Sequence, residues 1–114
     1  MADGERMICA SADLPDGGAA VRFTVLRHGV AESAFAVRHR GAVHAYLNRC
    51  AHVPVEMDWQ EGQFFDHSGV YLICSMHGAL YDPASGECLA GPCSGKGLTP
   101  LSVVERDGGI YLKA

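Results

Sequence analysis

Apolar and polar residues alternate along both flanks of the chain in short runs, each closed by Gly, Asp or Pro. Such period-two stretches predict strands, so Met7–Ala10 and Val21–Arg27 are expected as two early ones, parted by Pro15-Asp16-Gly17-Gly18. Ala34–His39 and Ala42–Leu47 face each other across Arg40-Gly41, a hairpin expected because glycine tolerates positive φ. Leu101–Arg106 and Ile110–Lys113 repeat the pattern around Asp107-Gly108-Gly109. Long helical spacing is absent. The pattern therefore predicts an all-β fold of antiparallel sheets, with both ends of the chain contributing to one scaffold.

Between Asn48 and about Lys96 the alternation breaks up. This stretch holds four of the five cysteines and many turn-forming Gly, Asp and Ser residues, with one compact strand expected at Val70–Cys74. Function concentrates on loops that a rigid scaffold positions, which directs attention here. The 114 residues suit a single domain, 1–114, large enough to bury its own core. The first residues carry no basic stretch followed by an apolar run, and no later run approaches a membrane span. With five cysteines, this points to a reducing compartment, the cytoplasm by default. A net charge of -4 without a basic stripe argues against a nucleic-acid partner.

Two mixed Cys-His pairs stand out in the middle segment: Cys50-Ala51-His52, and Cys74-Ser75-Met76-His77 followed by Gly78. Thiolate and imidazole are soft-to-borderline metal ligands, and four of them complete a coordination set. Ordinary Cys2His2 zinc sites keep the two Cys in one knuckle and the two His elsewhere. Here each loop offers one of each. Buried thiols beside surface imidazoles are the plain alternative, and zinc another.

The spacing Cys-x-His, about twenty residues, then Cys-x-x-His-Gly resembles the Rieske 2Fe-2S domain, and the resemblance runs on through Tyr81-Asp82, Ser85-Gly86-Glu87 and Gly91-Pro92. It implies a Rieske-like fold with a loop-rich cluster-binding part at about 48–96. It implies one 2Fe-2S cluster per chain, with Cys50 and Cys74 on one iron and His52 and His77 on the other. Gly78, Ala79 and Tyr81 would surround the ligands, and Pro92 would belong to a third loop over the cluster. Two thiolates cancel the charge of two ferric irons and two sulfides, so the centre accepts an electron more readily than an all-Cys cluster.

The large relatives add a mononuclear iron domain, for which this chain has no residues to spare. The resemblance thus implies a monomeric one-electron carrier with no catalytic residues, acting between a reductase and a terminal oxygenase or other acceptor. A small Rieske-like subunit of a nitrite reductase-like enzyme is the alternative reading, and a zinc-binding regulatory module a further one. Val55 and Met76 stand where high-potential relatives carry extra cysteines, so no disulfide is expected between the ligand loops. Ala79 replaces a hydroxyl donor of those relatives while Tyr81 keeps another. The reduction potential is therefore expected toward the lower part of the family window of about -150 to +300 mV.

The remaining candidates have ordinary readings. His28, His39, His44 and His67 are expected as solvated or core-edge residues, and Cys9 as a packed thiol in the first strand. Cys88 and Cys93, five apart around Gly91-Pro92, are close enough to oxidise together, but in a reducing compartment free thiols near the third loop are the favoured reading. Trp59, Phe64 and Phe65 suit either the core or a partner-facing patch, with core the favoured reading.

Overall fold

A computed structural model describes residues 6–49, 64–66, 68–74, 78–91 and 97–113. In chain order the strands are β1 (Arg6–Ala10), β2 (Val21–Arg27), β3 (Val30–His39), β4 (Ala42–Leu47), β5 (Leu72–Ile73), β6 (Leu80–Tyr81), β7 (Cys88–Ala90), β8 (Pro100–Leu101), β9 (Val103–Arg106) and β10 (Gly109–Leu112). One 3-10 turn, Ser11–Asp13, follows β1. Every strand pair is antiparallel. The expected all-β architecture is present, and no helix among the described residues is long and apolar enough to cross a membrane.

Three tight turns share one chemistry. His28-Gly29, Arg40-Gly41 and Asp107-Gly108 all have positive φ at both residues, the backbone that two-residue hairpins need to match the strand twist. At Arg40, which has a Cβ to accommodate, the Asp16 carboxylate accepts the Arg40 and Gly41 N–H groups at 2.9 and 2.8 Å and fixes the turn. The turn at His28-Gly29 lengthens β3 beyond its expected start at Ala34, because Val30–Ser33 pair back onto β2.

The two ends of the chain build the scaffold as two sheets that share a core. Sheet β1-β10-β9 joins the ends, and sheet β2-β3-β4-β8 lies beside it. Ser102 interrupts the run expected from Leu101 to Arg106, so that β8 pairs with β4 and β9 pairs with β10. A third sheet, β5-β6-β7, belongs to the cysteine-rich middle.

The four-stranded sheet is the middle layer, and its side chains are sorted by size. Ala34–Val37 is buried on both faces. Ala36 and Ala45 meet Leu14 and Ile110 on one side, where small residues admit the terminal sheet. Phe35, Val37 and Tyr46 point the other way, into a core with Phe64, Leu72, Cys74, Ala79, Tyr81 and Leu98. The Phe35 and Phe64 rings stack at 3.8 Å between centroids, which anchors the middle segment on the scaffold.

Candidate metal centre

Of the four proposed ligands, Cys74 falls within the described residues; Cys50, His52 and His77 lie outside them, as do Trp59, His67, Pro92 and Cys93. Cys74 follows β5 directly. Its side chain is fully buried and carries a thiol rather than a disulfide. The Cys74 N–H donates to the Ala79 carbonyl at 2.9 Å, and the Gly78 N–H donates to the Cys74 carbonyl at 2.8 Å. These two bonds tie Cys74 to Gly78 and Ala79, the residues that follow the second ligand pair. Gly78 takes φ 70°, a left-handed backbone that favours glycine.

Underneath, β5 is tied down on both sides. Ile73 N–H donates to the Phe64 carbonyl at 2.8 Å, and Leu72 pairs with Tyr81 across β6. Ala79 and Tyr81 are both wholly buried. Gly91, with φ 95°, lies on the Ala79 backbone, where an added Cβ would come 2.9 Å from the Ala79 Cα. The segment beginning the expected third loop therefore touches the segment that follows the second ligand pair. Only a residue without a side chain permits this approach.

The turn between β6 and β7 is braced against the scaffold. Asp82 accepts the Ala84 N–H at 2.8 Å, and the Gly86 N–H donates to the Asp82 carbonyl at 2.7 Å. The buried Tyr46 hydroxyl of β4 donates to the Pro83 carbonyl at 2.7 Å, and burial followed by the nearby Asp82 charge pushes this phenol up to about 12. No sequence signal marked this brace, since a tyrosine in a strand pattern reads simply as core.

The family whose model matches is the Rieske [2Fe-2S] domain, over residues 5–105. The chain belongs to the Rieske [2Fe-2S] domain family. No curated protein matches the sequence. Among solved structures, the ferredoxin of carbazole 1,9a-dioxygenase from Nocardioides aromaticivorans IC177 superposes with a TM-score of 0.72 at 21% identity, covering 97% of this chain and 98% of its own. A Sphingomonas yanoikuyae B1 ferredoxin gives 0.71 at 21% identity, covering 96% and 98%. The terminal oxygenase of the Nocardioides carbazole system gives 0.73 at 19% identity, covering 97% of this chain but 30% of its own.

The cofactor of a Rieske chain is one 2Fe-2S cluster, and the described residues fit it. Cys74 offers a reduced sulfur at the end of a strand, its backbone is closed on Gly78 and Ala79, and Gly91 packs where a larger residue would push the neighbouring loop away. Among the described residues no three His, Cys, Asp or Glu side chains gather around a common point, so a second metal centre is not in evidence there.

The other readings divide. Cys9 lies in β1 and packs beneath the terminal sheet, where burial, reinforced by Asp13, raises its thiol. Phe64 is core and Phe65 packs beside it. His28 sits in an exposed turn, and His39 and His44 lie at the core edge. Cys88 is disulfide-bonded, which overturns the favoured reading of a free thiol, and the other cysteine of that bond lies outside the described residues. The expectation rested on compartment chemistry, whereas bonding depends on which sulfurs the folded loops bring together.

Proposed function

We propose that this chain is a one-electron carrier whose Rieske cluster is held by Cys50 and Cys74 on one iron and by His52 and His77 on the other. The whole chain, 1–114, serves as a single domain, with about 48–96 as the cluster-binding part. The observation that carries the reading is coverage. The chain matches stand-alone ferredoxins end to end, but spans less than a third of the terminal oxygenase whose Rieske domain it also resembles.

When bound, the cluster supplies the one-electron couple. The protein does the rest. The buried Cys74 segment and the Phe35–Phe64 stack hold the site rigid, which keeps the reorganisation on electron transfer small. The net charge of -4 suits docking on basic faces of protein partners. By analogy with the carbazole system, whose oxygenase and ferredoxin form a complex, those partners are a reductase and a terminal oxygenase or another acceptor. The exchange takes place in the cytoplasm between soluble proteins, and the chain itself catalyses no reaction.

The test is anaerobic purification followed by electronic and electron paramagnetic resonance spectroscopy and a stoichiometric transfer assay. Two irons per chain, a Rieske-type reduced signal, and delivery of one electron per chain to an oxygenase are expected. Colourless protein with stoichiometric zinc, or substrate turnover by the isolated chain, would overturn the reading.

A further inference from the structure

On the cluster-facing side of the middle sheet the apolar surface stops before the strands do. His39 and His44 sit on this face, because Val37 pairs with His44 and His39 with Ala42. Beyond them a hollow of about 460 Å³ opens between the β3–β4 hairpin and the turns flanking β5 and β6. This volume lies within the range that small ligands occupy.

The walls of the hollow have two kinds of chemistry. Arg40 comes from the hairpin turn, held there by Asp16, and His39 and His44 stand beside it. Val70, Tyr71 and Leu89 form the opposite rim, and these three are among the large apolar residues most exposed to solvent, at 39, 39 and 49%. Asp82 is the facing acid, with one of its carboxylate oxygens occupied by the Ala84 N–H. A metal ion is a poor occupant, since no three donors converge among the described residues.

We propose that this hollow binds an apolar monocarboxylate, whose carboxylate meets Arg40, His39 and His44 and whose body covers Val70, Tyr71 and Leu89. Arg40 faces Asp82 across the hollow, and the Asp16 carboxylate lies behind the Arg40 turn, so the fixed charges leave no net positive charge. As pH falls His44 gains a proton, and the hollow becomes more favourable to an anion. His44 is the sensitive member: burial and then His39 lower its proton affinity, while Asp82 raises it. A bound anion favours the protonated form, so binding strengthens as pH falls.

The experiment is calorimetric titration of the cluster-loaded protein with 2-naphthoate at pH 5.5 and 8.0, with 2-naphthamide and orthophosphate as controls. One naphthoate per chain is expected, bound roughly tenfold more tightly at the lower pH, a common size for coupling between sites. The uncharged amide and the body-less phosphate should each bind at least about tenfold more weakly. Arg40→Gln should weaken naphthoate binding, His44→Gln should flatten its pH dependence, and Asp82→Asn, which retains an acceptor for the Ala84 amide, should tighten it. An unchanged cluster spectrum in each variant verifies the fold. Equal affinity for the amide, equal affinity for phosphate, affinities that ignore all three substitutions, or no binding at all would each overturn the proposal.

Discussion

Cys74 and Tyr81 occupy opposite arms of one hairpin, both without solvent exposure. If Cys74 holds iron, Cys74→Ser leaves a weak hydroxyl where the cluster needs a thiolate. Iron per chain should fall to background and the visible spectrum should disappear, while the far-ultraviolet β signature stays, because the two scaffold sheets contain no ligand. If the buried Tyr81 phenol reaches the thiolate of Cys50 or Cys74, its hydroxyl favours the more negative reduced state. Loss of a bond worth ~1 kcal/mol should lower the midpoint of Tyr81→Phe by roughly 40 mV in a redox titration. The ligand proposal could be read from the sequence because residue type and spacing carry it. The packing of Gly91 on Ala79 could not, since it joins two segments whose closeness only folding creates.

Among the elements, β3 and β9 are joined by a guanidinium. Arg38 donates to both Glu105 carboxylate oxygens, at 3.0 and 2.6 Å, and also to the Leu14, Ser11 and Gly41 carbonyls. This clamp holds the Glu105 carboxyl at about 2, against an ordinary value of 4.5. The folded pKa lies below the unfolded one, so the unfolded chain binds more protons between them. Stability from this pair is complete above about 4.5 and is lost as pH falls toward 2. Glu105→Gln should cost about 1 kcal/mol at pH 7, and its deficit relative to the parent should shrink markedly at pH 2.5, as urea midpoints at the two values would report.

The longer strands were legible because alternation and a turn residue followed by glycine specify a hairpin locally. Leu80–Tyr81 and Cys88–Ala90 were not. Strands of two or three residues are too short to show a period, and they are fixed by pairing, β6 with β5 and β7 with β6, and by the brace from Tyr46.

For the molecule as a whole, the layer order predicts how cluster loss spreads. Two of the three layers have their own core of Leu14, Ala36, Ala45 and Ile110, distinct from the core that holds Phe64, Cys74 and Tyr81. Removing the iron by chelation should therefore leave amide hydrogen exchange slow in β3, β4 and β10. Exchange should rise in β5 to β7, whose support depends partly on the closed ligand loops. Uniform acceleration across all three sheets would show that the scaffold cannot stand without its cofactor.

The pairing of β1 with β10 has a consequence for biosynthesis. Arg6 lies opposite Leu112, about a hundred residues away along the chain. On the ribosome, β2, β3 and β4 can zip together as soon as they emerge, and β5 to β7 follow as another local unit. β1 has no such neighbour. It must wait as an unmatched strand until β10 leaves the exit tunnel, after all the strands between them. The cysteine-bearing segment is thus synthesised before the last sheet can close. A nascent chain stalled at Ser102 should already protect β3 and β4 from proteolysis while leaving Met7–Ala10 open to cleavage.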